Sequence, residues 1–387
     1  MPDHGLPRYI LNRISEAWHS SLYANAVYLV MAQAVMTGLG FFFWVIVARF
    51  YTEAELGYSS AIISAITFVA LIGRIGLDTF LVRFLASAEN PRRLFNTCLT
   101  HTSLATATAA VVTVIGFPLW TPRLSFVTAQ PPFFFTFVIL AVVSAASGIC
   151  GSGFIAGRQA KFLFLKDALF SATKLFLPLL FIRYFHAFGV VASWGIATTI
   201  GVLASLVVFM PRVFPGYRPA PSTGDRLVRR AWGFSGMSYI ISLVATTPNF
   251  LMPLVVMNLL GPEENAFFYV AWTIATLLYS IPTSLGQSLF AEGSYDKRQL
   301  GGHIRKSTLF SLLLLIPAII FLWLLGDKLL LAFGGNYSVR STELLRILSL
   351  VALPMTFERI YFTVLRIYGR LRELLTWRAA LSAATLA

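Results

Sequence analysis

The sequence predicts an all-α integral membrane protein that crosses the bilayer about ten times. Three observations support this fold class: a shortage of charged residues, a series of long apolar runs, and an alternation of basic and non-basic loops. Only 12% of the 387 residues are charged, 57% are hydrophobic, and the mean hydropathy is +0.75. A soluble protein carries about twice that share of charged residues, so a largely water-exposed surface is excluded.

The apolar runs define the predicted spans, because roughly twenty apolar residues are needed to cross the hydrocarbon core as a helix. The ten runs lie at 24–47, 57–85, 96–120, 132–157, 168–185, 188–210, 234–259, 266–290, 309–325 and 343–366. A further apolar run begins near Ala379.

The basic residues indicate the orientation. If the spans are taken in order, 21 Lys and Arg residues lie in the loops on one side and 5 in the loops on the other. Basic loops stay in the cytoplasm, which predicts a cytoplasmic N-terminus. The net charge of +14 is therefore interpreted as a topology signal that faces anionic lipid, and no nucleic-acid partner is expected.

An internal repeat predicts the domain organisation. Residues 50–84 and 259–293 share a layout in which an apolar helix ends, an acidic turn follows, and a second helix returns to a basic loop. This favours two parallel six-helix repeats, an architecture found in transporters. The predicted segments are an amphipathic cytoplasmic segment at 1–23, a first lobe at 24–210, a basic cytoplasmic linker at 211–232 and a second lobe at 233–387. The second repeat is expected to be incomplete, as in a C-terminally truncated chain.

Charged side chains inside predicted spans are candidates for function, because they are costly to insert. Arg74 and Lys174 lie at similar depth in two spans and could clamp a diphosphate, with bidentate contacts from Arg and a point charge from Lys. Asp78 lies four residues after Arg74, so a structural ion pair on one helix face is an equal alternative. Glu358 and Arg359 adjoin in the tenth span, where structural pairing and substrate contact both remain open.

Uncharged polar residues lie deep in three spans. Gln33, Asn249, Asn258 and Gln287 could form hydrogen bonds between helices, which explains most such residues. A cavity that binds sugars would require the same chemistry, so these amides are also candidate substrate contacts.

Helix-breaking residues interrupt the first and seventh spans. Gly38 and Gly40 lie in the first, and Pro248 and Pro253 remove backbone hydrogen bonds in the seventh. Since these helices open the two predicted lobes, bending there could gate access to the cavity. Static kinking is the alternative.

No motif indicates a metal, a cofactor or catalysis. Cys98 and Cys150 lack metal-ligand spacing, and the glycine-rich stretch at 148–157 lies inside a span, where it favours close helix packing. We expect no metal site, no cofactor and no catalytic residues.

A family resemblance rests on residues 38–85. The first helix ends at Ala48 and Arg49, and Glu55 and Gly57 follow in the turn. The second helix ends in a stretch that contains Gly76, Leu77, Arg83 and Phe84. This stretch resembles the opening of the Wzx-type polysaccharide-biosynthesis flippases of the multidrug/oligosaccharidyl-lipid/polysaccharide exporter superfamily. The predicted two-unit topology extends the likeness over the chain.

The resemblance implies a two-lobed bundle of twelve or fourteen helices around a central, cation-lined cavity that works by alternating access. An oligosaccharide on undecaprenyl diphosphate would be flipped from the inner to the outer leaflet of the bacterial inner membrane, for O-antigen, capsule or exopolysaccharide biosynthesis. The implied partners are this lipid-linked substrate, membrane lipid, and the glycosyltransferases and polymerase of the same pathway.

Two alternatives remain open. A cation-coupled multidrug exporter of the same superfamily would favour acidic groups in the cavity. A membrane polysaccharide polymerase or ligase would need a larger outer loop than the sequence offers.

Overall fold

The computed structural model describes residues 21–181, 186–223, 226–295 and 297–386. Within these ranges every regular element is a helix. The predicted amphipathic segment at 1–23 lies outside them except for its last three residues. The helices are α1 Ser21–Phe50, α2 Glu53–Arg74, α3 Leu77–Phe84, α4 Pro91–Trp120, α5 Pro131–Ala156, α6 Ala160–Phe181, α7 His186–Ala204, α8 Arg226–Leu260, α9 Pro262–Tyr295, α10 Leu300–Leu331, α11 Gly335–Ile367 and α12 Leu371–Leu386. A five-residue helix, Ser125–Ala129, precedes α5, and α7 continues through a π-helical turn into Met210–Val213.

Nine of the described helices are long and apolar enough to cross a membrane, so the all-α membrane class is confirmed. The fifth predicted span corresponds to α6, which begins at Ala160 and is not one of the nine. Its second turn carries Lys166 and Asp167, paired at 3.0 Å, and Lys174 follows two turns later. These charges lower the apolarity of a helix that is otherwise long enough to span.

The second predicted span is not one continuous helix, which corrects the sequence-based prediction. α2 ends at Arg74, and both Ile75 (φ 44°) and Gly76 (φ 78°) adopt the left-handed conformation before α3 starts. Glycine accepts this conformation readily, whereas a β-branched residue is strained in it. The start of α2 is fixed by a capping box in which Thr52 Oγ1 accepts from the Glu55 amide and Glu55 Oε2 accepts from the Thr52 amide.

The helices pack as two groups that meet along α2. In the first helix group (α1–α7), α1 packs on α6 and α4 on α5, and in the second (α8–α12), α9 and α10 pack on α11, and α12 on α8. α2 contacts both α8 and α9. A single buried apolar cluster crosses this interface, from Phe43 and Ile66 to Ile274 and Leu345, so the interface is part of the main core.

The segment predicted as a linker at 211–232 is partly helical and docked. α8 begins at Arg226, inside that segment. Before it, Asn96 Nδ2 of α4 donates to the Arg218 carbonyl at 2.9 Å, and Ser222 lies 2.9 Å from the Thr97 hydroxyl. These contacts hold the connection between the two groups against the first two turns of α4.

Candidate functional site: a neutral cavity between the helix groups

A cavity of ≈ 1020 Å³ lies between the two helix groups. Its described walls come from α1, α2, α8 and α9, the helices that open the two groups. Along α1 the lining runs from Leu29 to Trp44, a rise of about 22 Å in a helix. Trp44 meets Tyr269 of α9 at a ring distance of 4.7 Å, so the two groups touch at this end of the cavity.

The described wall contains no charged side chain, which differs from the cation-lined cavity that the family resemblance implies. Amides, hydroxyls and aromatic rings supply its polarity instead. The amides are those of Gln33, Asn249 and Gln287, and the hydroxyls are those of Thr37, Ser64, Thr67, Thr273, Thr276, Ser280, Thr283 and Ser284. The aromatic residues are Phe41, Trp44, Phe250, Tyr269 and Trp272.

Three of the four amides singled out from the sequence thus face one space, whereas Asn258 lies outside the wall and donates to the Trp120 carbonyl at 2.8 Å. Gln33 Nε2 also donates to Thr37 Oγ1, one turn along α1, at 3.2 Å. The α9 hydroxyls are not among the residues predicted from the sequence, although their spacing indicates a polar helix face. Residues 273, 276, 280, 283 and 287 are polar at helical intervals of three and four, which puts them on one face of α9.

Arg74 lies outside this wall. Its Nη1 atom lies 3.6 Å from Asp78 Oδ2, and its Nε atom donates to the Ala70 carbonyl at 3.4 Å. The guanidinium packs against α5 at Gly148, where a Cβ atom would lie 2.9 Å from Nη1. The ion pair that the sequence suggests is present, but it bridges the break between α2 and α3 rather than one continuous helix face.

Lys174 lies behind α1 and is buried, with a relative exposure of 6%. Its Nζ atom faces the rings of Phe43 and Phe170, at 5.4 and 4.6 Å from their centroids. No acidic group among the described residues forms an ion pair with it. Nζ lies 3.7 Å from where a Cβ atom of Gly40 would be, and Gly40 lines the cavity. The Lys174 ammonium therefore lies close to the backbone of α1 at a residue that lines the cavity.

Glu358 and Arg359 have different surroundings. Arg378 of α12 donates to Glu358 Oε1 at 2.7 Å and covers the ring of Phe362 at 4.0 Å. The Nε atom of Arg359 is buried and has no hydrogen-bond partner among the described residues. The Cβ atom of Arg359 lies 3.8 Å from where a Cβ atom of Gly286 would be, next to Gln287 of the cavity wall.

The four predicted hinge residues lie within helices. Gly38 and Gly40 belong to α1, and nothing lies within 4 Å of a Cβ atom at Gly38. Pro248 and Pro253 lie inside α8, which continues through both. Their role in bending therefore stays a prediction.

Beyond Trp44 and Tyr269, the two groups are sealed where α2 and α9 begin. We call this region the closed end. Asn265 of α9 is fully buried and donates to the Gly57 carbonyl at 2.8 Å and to Ser60 Oγ at 3.1 Å. The backbones approach so closely that a Cβ atom at Gly57 would lie 1.7 Å from the Pro262 carbonyl oxygen.

Further polar contacts surround this seal. Arg49, at the end of α1, donates to the carbonyls of Leu331 and Ala332 at 2.5 and 2.7 Å, where α10 leaves carbonyls without helical partners. Asn336 donates to Glu53 Oε1 at 2.9 Å. These partners cannot be recognised from the sequence alone, because each bond joins residues that lie 283 or 282 positions apart.

Comparisons with known proteins identify this architecture. Residues 238–377 match the MatE family model. An inward-facing multidrug-resistance MATE transporter of the MOP superfamily superposes with a TM-score of 0.65 at 14% identity, covering 92% of this chain and 88% of the other. The chain shares the fold of this transporter. The lipid II flippase MurJ, in an inward closed conformation, superposes with a TM-score of 0.70 at 13% identity, covering 92% and 79%.

A curated relative gives a weaker match. A putative O-antigen transporter from Shigella flexneri is 24% identical over 145 residues, which are 37% of this chain and 35% of that protein. The matched region is thus about a third of that relative's length. The chain is a multi-pass membrane protein, and its solved structural neighbours include both multidrug transporters and a lipid flippase.

Proposed function

We propose that the protein flips a lipid-linked oligosaccharide from the inner to the outer leaflet of a bacterial inner membrane. The neutral cavity carries this proposal. Amides and hydroxyls suit the hydrogen bonds of sugars, and aromatic rings suit their apolar faces. The cavity lies between two helix groups, where alternating access exposes a site to each side in turn.

The orientation follows from the basic loops, which favour a cytoplasmic N-terminus. The closed end then faces outward, and sugars enter the cavity from the cytoplasmic side while the lipid tail stays in the bilayer. Opening the seal at Gly57 and Asn265 would release the glycan outward. The enzymes that build and polymerise the glycan are the expected pathway partners.

The diphosphate requires a cation outside the neutral wall. We assign this contact to Lys174, beside Gly40, with Arg74 as the second member of the clamp. Lys174 has no ionic partner among the described residues, whereas Arg74 must exchange Asp78 for phosphate. Arg359 is the candidate cation of the second group, since Glu358 already pairs with Arg378.

A multidrug exporter is the second candidate, because the MatE model and the MATE structures resemble this chain. Coupling to a cation in the cavity would call for a carboxylate there, and the described wall has none. This absence favours the flippase.

The test is to delete the gene in its host and measure whether undecaprenyl-linked oligosaccharide in spheroplasts becomes accessible to an external lectin. Flipping predicts protected intermediates that become accessible on complementation. Unchanged accessibility together with raised drug sensitivity would establish the exporter instead.

The clamp is tested by Lys174→Ala and Lys174→Arg in the complemented strain. We expect Lys174→Ala to reach the membrane at normal level yet fail to expose the oligosaccharide, and Lys174→Arg to retain partial flipping. If Lys174→Ala flips the oligosaccharide as fast as the unsubstituted protein, Lys174 does not bind the diphosphate.

A further inference from the structure

Building on the proposed function, we infer that the cavity selects uncharged glycans and discriminates against units that carry acidic sugars. The specificity-determining groups are the hydroxyls of α2 and α9 and the aromatic end of the cavity. The resemblance to flippases does not supply this selectivity, since it implies a cavity lined by cations.

The first observation is how the wall hydroxyls are bonded. Thr67, Thr276, Ser280 and Thr283 each donate to a carbonyl of their own helix, at 2.7, 2.7, 2.5 and 2.8 Å. A hydroxyl has a single O–H donor and two acceptor lone pairs. With the donors engaged, these side chains offer acceptors to the cavity.

Acceptors discriminate between sugars by the donors that each sugar brings. A neutral hexose presents O–H groups at every free position and can donate to such a wall. An ionised carboxylate accepts only, so its oxygens would face acceptor oxygens without an intervening proton. The three wall amides can donate to it, but one of the two N–H groups of Gln33 is already engaged by Thr37, so few donors face many acceptors.

The aromatic end of the cavity also favours neutral sugars over acidic ones. Trp44 and Tyr269 close the cavity edge to face, and Trp272 lies one turn from Tyr269 on the same wall. Aromatic faces carry negative electrostatic potential and attract apolar C–H surfaces and cations. They suit the C–H face of a neutral pyranose and repel a carboxylate.

No charge in the described wall offsets that repulsion. Lys174 lies close to the wall, behind Gly40, and the proposed function commits it to the diphosphate. A carboxylate that leaves water for this cavity would lose its hydration without gaining an ion pair.

The test compares two substrates in proteoliposomes that contain the purified protein. Both are undecaprenyl diphosphate trisaccharides, identical except that the terminal residue is a hexose in one and the matching hexuronic acid in the other. We measure the rate at which each becomes accessible to an impermeant glycan-oxidising or lectin probe. We expect the neutral unit to cross faster by about tenfold or more.

The outcomes separate the two proposals. Equal rates, or a faster acidic unit, would overturn the inferred selectivity and leave flipping intact. If neither unit crosses, the proposed function fails and the selectivity inference fails with it.

A gain-of-function variant gives an independent readout. Thr276→Arg places a cation in the wall, and we expect the rate ratio to shift toward the acidic unit by about tenfold. Gln287→Lys serves as a second variant at the other end of the α9 hydroxyl face. Thr376→Arg, on the exposed side of α12 and outside the cavity wall, adds the same charge and should leave the ratio unchanged. An unchanged ratio in both cavity variants would contradict the inference.

Discussion

At the scale of single residues, the charged side chains differ mainly in what neutralises them. Arg74 pairs with Asp78 and Glu358 with Arg378, whereas Lys174 faces two aromatic rings and forms no ion pair with a described residue. The sequence predicts Arg74 and Lys174 at similar depth and identifies Asp78 as a partner within reach. It cannot identify Arg378 as the partner of Glu358, because that contact depends on how α12 packs beside α11.

The Arg74–Asp78 pair predicts a specific pattern of stability. Arg74→Ala should lower the free energy of unfolding by about 1–3 kcal/mol, since it leaves a partly buried carboxylate unpaired. The double variant Arg74→Met with Asp78→Leu should recover most of that loss because neither charge remains. Thermal denaturation in detergent measures both, and a double variant as unstable as the single one would contradict a structural pair.

The close backbone approach at Gly57 predicts that a larger residue there destabilises the closed end. Gly57→Ala should destabilise by about 1–3 kcal/mol, because the new methyl group would overlap the Pro262 carbonyl, a backbone atom that cannot rotate away. Gly301→Ala in α10 is the matched control, since nothing lies within 4 Å of a Cβ atom there. Equal melting temperatures for the two variants would show that α2 and α9 do not approach so closely.

At the scale of elements, apolar length predicts the spans, and it does not predict their irregularities. The break at Ile75 and Gly76 escapes sequence reasoning because an isoleucine rarely adopts the left-handed conformation. The start of α8 at Arg226 escapes it because basic and polar residues obscure the helix. The three amides are identifiable since polar groups inside apolar runs are conspicuous, whereas the α9 hydroxyls are common residues whose meaning depends on which face meets the cavity.

Replacing a proline of α8 is expected to change the rate of flipping without lowering the stability of the fold. Pro248→Ala restores a backbone hydrogen-bonding group next to Asn249 of the cavity wall, and we expect slower flipping with an unchanged or higher melting temperature. Pro317→Ala, inside α10 and away from the cavity wall, is the control and should leave the flipping rate unchanged. A Pro248→Ala variant that flips at the normal rate would indicate a static kink.

At the scale of the whole molecule, the two helix groups meet along α2 and enclose the cavity between α1 and α9, with the closed end beyond Trp44 and Tyr269. A covalent link between Glu53→Cys and Asn336→Cys, introduced after replacing Cys98 and Cys150 by alanine, should hold the closed end shut. We expect cross-linking to stop flipping and reduction to restore it. Either single cysteine variant, treated identically, should remain active, and persistent flipping in the cross-linked pair would exclude opening at this end.

The orientation predicts which surfaces impermeant thiol reagents can reach. With the two native cysteines replaced, Val339→Cys, at 80% exposure beside the closed end, should react in intact cells. Ala220→Cys, in the exposed connection before α8, should react only after permeabilisation. The opposite pattern would invert the topology inferred from the basic loops.

The most direct test of the proposed function is flipping by the purified protein alone. In proteoliposomes loaded with a neutral undecaprenyl-diphosphate oligosaccharide on the inner leaflet, the fraction accessible to an external lectin should rise with time. It should stay constant in vesicles that contain the Glu53→Cys/Asn336→Cys protein after cross-linking. An equal rise in protein-free or cross-linked vesicles, or no rise with the active protein, would contradict flipping by this protein.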